Sequence, residues 1–179
     1  MPDTALVVID LQNDYFPGGA MELEGAEAAA ARASEALKNF REKKLPVIHV
    51  RHLSVRPGAT FFLPGTRGAE IHASVKPLAG ETVIEKNFPN SFRATALEER
   101  LKALGVKSLV VAGMMTHMCV DASVRQAADL GYKVTLLGDA CATRAQSYGG
   151  EQVPARQVHA AFLAALNGFY AKVINTHEL

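Results

Sequence analysis

Cysteine is scarce in these 179 residues: only Cys119 and Cys141 occur. Two such residues make neither a disulfide framework nor a Cys-x-x-Cys pair, and a reducing cytoplasm is the compartment they suit. An excess of either charge is missing as well. Nineteen Lys and Arg against eighteen Asp and Glu leave a formal net charge of +1. No strong field therefore draws the chain to nucleic acid or a membrane surface, and no basic run carries interleaved aromatics. Apolar runs fall far short of the roughly 20 residues that cross a bilayer. The opening Met1-Pro2-Asp3-Thr4 has no basic n-region, and Asp10 and Asp14 interrupt the apolar stretch behind it, so no signal peptide is expected. A Gly-x-Gly-x-x-Gly turn after the first strand and a Gly-Lys-Ser/Thr phosphate loop are both lacking, which counts against a nucleotide-binding module.

What remains is an ordinary globular composition, 49% apolar and 21% charged. Short apolar runs alternate with helical patterns. Thr4–Asp10, Pro46–Arg51, Glu81–Lys86, Ser108–Ala112, Lys133–Leu137 and Phe169–Ile174 read as strands. Ala26–Lys44, Arg93–Leu104, Val120–Leu130 and Val153–Leu166 read as helices, the second stopped by Gly105 and the third by Gly131. The alternation predicts right-handed crossovers and an α/β fold: three layers, α/β/α, around a central, mainly parallel six-stranded sheet of Rossmann-like type. Two long connections stand out. His52–Gly80 is long for a loop and is expected to be functional or lid-like, and Asp139–Gly150 is expected to be a loop with a Gly-Gly pair.

In a parallel sheet the site lies at the carboxyl ends of the strands. Asp10, Lys86 and Cys119 all fall at that edge. Cys119 follows a strand and opens a helix, where free N–H groups and the helix dipole favour an anion and ease loss of the thiol proton. A carboxylate, Asp10, that can take that proton as a base and an ammonium, Lys86, that can steady the thiolate stand at the same rim. Packing the three together perturbs the titration of each.

Four segments together resemble the isochorismatase-like cysteine hydrolases, which include nicotinamidases and N-carbamoylsarcosine amidases. They are Asp10-Leu11-Gln12-Asn13-Asp14-Tyr15, Lys86 with Ser91-Phe92, Gly113-Met114-Met115-Thr116-His117-Met118-Cys119-Val120, and Gly138-Asp139-Ala140-Cys141-Ala142. The resemblance covers nearly the whole chain in order and implies one domain over residues 1–179 with that family's fold. It implies a catalytic triad of Asp10, Lys86 and Cys119, and a cis peptide at Met114–Met115. That bond would set the Met115 and Cys119 N–H groups as the oxyanion hole. It also implies cleavage of an amide-like C–N bond of a small molecule through a thioester on Cys119, and a homo-oligomer, dimer or tetramer.

Nicotinamidases carry a metal after the second strand, held by an aspartate and histidines. The aligned positions here are His52, Ser54 and Thr60, so no metal and no other cofactor is expected, although His49, His52 and His72 offer donors. Gln12, Tyr15, Phe16, Arg51, His52, Phe61, Phe62, Phe92, Thr116 and Tyr148 are the expected substrate-binding residues, around a small, partly apolar or planar molecule. Cys141 is expected to pack as an inert thiol. Two alternatives stay open: an isochorismatase-type hydrolase of another small substrate, and a redox-sensing protein in which Cys119 becomes a sulfenic acid.

Overall fold

The computed structural model describes residues 3–179. In chain order its main elements are β1 (Thr4–Ile9), α1 (Ala26–Glu42), β2 (Val47–His52), β3 (Thr82–Lys86), α2 (Leu97–Ala103) and β4 (Ser108–Met114). Then come α3 (Asp121–Asp129), β5 (Lys133–Ala142), β6 (Gln146–Tyr148), β7 (Glu151–Val153), α4 (Ala155–Leu166) and β8 (Lys172–Ile174). Six strands form one sheet in the order β3-β2-β1-β4-β5-β8, and every pairing in it is parallel. This is the expected three-layer α/β/α architecture.

The strands are apolar throughout because both faces are covered. Every residue of β1 is buried. Leu6 and Val8 pack with Ala33, Leu37 and Phe40 of α1, while Ala5, Val7 and Ile9 point the other way, to Leu101 of α2 and Val124 of α3. Each fully buried aliphatic contributes about 1.5–3 kcal/mol of transfer free energy, so the middle of the sheet is the rigid part. The first turn of α3 and the ends of β1, β3 and β4 are mounted on it.

Among the differences from expectation, four change the shape of the chain. α2 starts at Leu97, not Arg93, because Ala94 has φ +54° and the Thr95 hydroxyl donates to the Ser91 carbonyl at 2.6 Å, which breaks the helical path. β5 runs on to Ala142 past a register shift between Val111 and Gly113. The stretch expected as a loop after it contains a hairpin, β6–β7, closed by Gly149 and Gly150 with φ +59° and +85°. Consecutive left-handed residues are what a two-residue hairpin turn requires. β8 begins at Lys172, since the Gly168 turn at φ +92° puts Phe169 outside the strand.

The long connection between β2 and β3 is a packed wall rather than a loose lid. It carries two 3₁₀ turns, Arg67–Ala69 and Ala73–Val75, and is pinned to the chain beyond β1. Asn13 N–H donates to Glu70 O at 3.0 Å and His72 N–H donates to Leu11 O at 2.8 Å. No helix among the described residues is long and apolar enough to cross a membrane.

Candidate active site

Three strand ends deliver three chemically capable side chains to one point. Asp10 follows β1 with φ +52°, a conformation that costs a non-glycine residue about 1–2 kcal/mol and is held by its N–H donating to Val50 O at 3.0 Å. Lys86 is the last residue of β3. Cys119 lies in a π-helical turn, Thr116–Val120, that runs straight into α3. The Met115 carbonyl closes this turn by accepting from Met118 N–H at 3.0 Å and Val120 N–H at 3.2 Å. Single π turns of this kind concentrate at functional sites. Behind it, Gly113 is required: a Cβ there would stand 2.1 Å from the Ile9 carbonyl oxygen. The Met114–Met115 peptide is cis.

The Lys86 ammonium is the hub. Its Nζ lies 2.7 Å from Asp10 Oδ2, 3.0 Å from His52 Nδ1, 3.1 Å from Phe88 O and 3.2 Å from Cys119 Sγ. An ammonium has three protons. Four acceptors therefore share them, and Asp10 Oδ2 is the nearest of the four. Both Asp10 oxygens are buried and lack an aligned donor. A buried carboxylate left in that state is an open proton acceptor.

Such a pair is not there for stability. The Asp10 and Lys86 side chains are both wholly buried. Desolvation takes several kcal/mol per ion, and a well-packed apolar pair would serve the fold as well or better. Burial alone would lower the Lys86 pKa, but the charges of Asp10 and the Cys119 sulfur outweigh it and the ammonium titrates above its ordinary value. Burial pushes the Cys119 thiol up, the Asp10 charge adds to that, and Lys86 opposes it. The thiol therefore rests protonated. Burial thus works against the eased proton loss expected from the start of a helix. His52 is held down at about 4 by burial and by the charge of Lys86, so it is neutral, with Nδ1 accepting and the proton on Nε2.

Above the sulfur lies a cavity of about 430 Å³. Of the expected binding residues, Tyr15, His52, Phe61 and Phe62 line it, as do Met115 and Cys119. Six do not. The Gln12 amide donates to His52 O and Ala69 O at 2.8 and 2.9 Å and accepts from His52 N–H at 2.8 Å, clamping β2 to the long wall. Phe16 stacks on His72 at 3.7 Å. Arg51 pairs with Glu85, one residue before His52 and so on the opposite face of the strand. Phe92 packs against Tyr132 on the α2–α3 side. Thr116 is buried, donating to Ala142 O at 3.2 Å and contacting His159 Nδ1 at 2.9 Å. Tyr148 stands 90% exposed on the β6–β7 hairpin.

The cavity also draws on residues the sequence reading missed: Met21, Ser54, Arg56, Asn87, Met118 and Arg144. Asp14 was given no role in the site by its sequence. Its carboxylate accepts from the N–H groups of Ala20 at 3.1 Å and Phe62 at 2.6 Å, and so fixes an aromatic wall residue whose φ is +55°. The signal for Asp14 was its acidity within a turn-rich segment; for the arginines no spacing marked them.

The family model of the isochorismatase domain matches residues 4–178. The chain belongs to the isochorismatase family. It is similar to the isochorismatase family protein YddQ of Bacillus subtilis, 53% identical over 173 residues, which is 97% of this chain and 96% of that one. A solved isochorismatase of Pseudomonas putida KT2440 superposes with a TM-score of 0.93 at 37% identity, covering 99% of this chain and 90% of that one. The family includes amidohydrolases. Nicotinamidase 3 of Arabidopsis thaliana is 30% identical over 151 residues, 78% of this chain and 72% of that protein.

In this isochorismatase-family chain the three histidines named above go separate ways. His49 Nε2 contacts Glu81 at 2.9 Å, beside Arg41. His72 stacks on Phe16 and contacts Ser74 at 2.8 Å. Only His52 reaches the site. The one group of metal-type donors close enough to share an ion, among the described residues, is Asp10, His52 and Cys119. The Lys86 ammonium already stands within 3.2 Å of a donor atom on each of the three. A second cation there would meet direct charge repulsion, so the donor set fits a metal poorly.

Proposed function

We propose that this protein is a cysteine hydrolase that cleaves an amide-like C–N bond of a small molecule through a thioester on Cys119. The observation that carries the reading is a buried thiol and a buried carboxylate held against one ammonium, under a cavity of small-molecule size.

Cys119 sulfur attacks the carbonyl carbon and forms a C–S bond while its proton passes to Asp10. The carbonyl oxygen takes the negative charge, and the backbone N–H groups of Met115 and Cys119 are the donors we assign to it. The tetrahedral species collapses: the C–N bond breaks, Asp10 returns the proton to the nitrogen, and the amine leaves. Water then attacks the thioester, giving a proton to Asp10. The C–S bond breaks, the acid departs and Asp10 reprotonates the sulfur. Lys86 stays charged and stands 2.7 Å from Asp10, opposite the negative charge of its carboxylate. Tyr15, His52, Phe61 and Phe62 surround the substrate.

The family membership and the amide chemistry named for the plant nicotinamidase support this reading. Two unpaired cysteines suit the cytoplasm as its setting, and exposed Phe169 and Tyr148, at 85% and 90%, are apolar surface that a homo-oligomer would cover. The test is ammonia release from a panel of amides, carbamoyl compounds and lactams, with mass spectrometry of the enzyme during turnover. The expected result is an acyl adduct on Cys119 in wild type and no turnover in Cys119→Ala. Full activity in that variant overturns the mechanism.

A further inference from the structure

The cavity over Cys119 is mainly apolar, yet its lining holds two guanidiniums, Arg56 and Arg144, and no carboxylate. Elsewhere arginine goes both ways: Arg67, Arg93 and Arg156 also lack an acidic partner among the described residues, but none of them lines this cavity. Arg32, Arg41, Arg51 and Arg125 each pair with an acidic neighbour. Arg56 and Arg144 make no ion pair and no side-chain hydrogen bond among the described residues. Arg56 has only the face of the Phe88 ring, 5.9 Å away.

The two reach the cavity from different sides. Arg56 is on the turn after β2, and Arg144 follows the end of β5. In the sheet β1 and β4 lie between those strands, and Cys119 follows β4. The strands that lead to the two arginines thus lie on either side of β1 and β4, and both side chains line the cavity that Cys119 lines. Arg56 lowers the proton affinity of His52, and Arg144 lowers that of Tyr15, so both charges are felt inside the cavity.

Deeper in, Asp10 and Lys86 cancel one another. An entering ligand therefore meets two uncompensated positive charges in front of a charge-balanced centre. This arrangement attracts an anion, repels an ammonium, and offers planar forks that match an oxyanion in two places.

We infer that the substrate is an anionic amide: its scissile carbonyl meets Cys119, and a carboxylate in the same small molecule is bound at the Arg56 and Arg144 rim. The inference rests on the hydrolase reading and names its substrate class. The apolar lining, Tyr15, Phe61, Phe62 and Met115, takes the short body that joins the two ends.

Two alkylating reagents test this without knowledge of the natural substrate. Iodoacetate and iodoacetamide carry the same CH₂–I electrophile and differ in one end group, a carboxylate against a neutral amide. In each, the sulfur forms the new C–S bond and iodide leaves. Rates are measured on the full chain, with the modified cysteine located by mass spectrometry and glutathione as the reference thiol. The expected iodoacetate-to-iodoacetamide rate ratio at Cys119 exceeds that of glutathione by about tenfold or more. It falls at about 0.5 M salt, and it drops towards the glutathione ratio in the Arg56→Gln/Arg144→Gln double variant. A ratio no higher than that of glutathione, or one the double variant leaves unchanged, overturns the inference while a reactive Cys119 leaves the hydrolase reading standing. If neither reagent modifies Cys119, the hydrolase reading falls and takes this inference with it.

Discussion

Cys141 lies near the end of β5, in register with Gly113 of β4, and Cys119 lies in the turn that follows β4. They are almost equally buried, at 5% and 6% exposure. Burial pushes both thiols up, Cys141 to about 12. Solvent access and direction of shift therefore fail to separate them. The difference is what surrounds the sulfur. Cys119 has an ammonium at 3.2 Å with a carboxylate behind it, whereas Cys141 has only a backbone contact from Gly113 and a distant Asp139. Reactivity in a buried thiol is thus a property of its charged neighbours and only secondarily of where the chain puts it.

Substitution breaks this comparison most sharply. Cys119→Ala is expected to lower amide hydrolysis by about 10⁴-fold or more, while Cys141→Ala stays within about twofold of wild type. Steady-state ammonia release decides between them, and a comparable loss in both variants would mean that the sheet edge as a whole carries the activity.

Removing the hub comes next. Lys86→Met is expected to cut kcat by about 10³-fold and to destabilise the fold by about 3 kcal/mol, because Asp10 is left buried without a counterion. Adding Asp10→Asn restores much of the stability and none of the activity. Urea unfolding of the single and double variants checks the first point. Equal stability in both would show that the pair is not charged.

The strands were the legible part of the fold, because a strand buried on both faces must be apolar along its length, as Leu6–Ile9 is. The β6–β7 hairpin was missed although Gly149-Gly150 announced it, since three-residue strands leave no periodicity. The three strand-end residues were legible at the site because parallel topology collects strand ends. The wall was not, because which face a side chain takes depends on register and on loop path. Arg51 and His52 are adjacent, and only His52 enters. Gln12, Phe16 and Thr116 are close in sequence to Asp10 and Cys119, yet their side chains are engaged elsewhere.

A milder probe sharpens the contrast in acidity. With the thiol protonated at rest, iodoacetamide labelling of Cys119 is expected to rise about tenfold per pH unit between about pH 7 and 9, with Cys141 untouched until the protein unfolds. A plateau below neutrality would mean a preformed thiolate.

The smallest expected effect is on alkaline stability. The folded Cys141 thiol titrates at about 12 against an ordinary value of 9.0. The neutral form is favoured in the fold, so the stabilising difference is whole below pH 9 and is lost as pH climbs from there towards 12. That loss is about 1 kcal/mol per pH unit, and Cys141→Ala is expected to flatten the decline by that amount in thermal melts recorded above pH 9. An unchanged slope would assign the alkaline loss to other groups.

Lys86 has a consequence for how such a molecule comes into service. Its positive charge is tethered to the third strand, so it arrives with translation and cannot be washed out, exchanged for a rival ion or captured by a chelator. Once β3 docks beside β2, the hub is in place at full occupancy in every copy, whatever the cell's mineral supply.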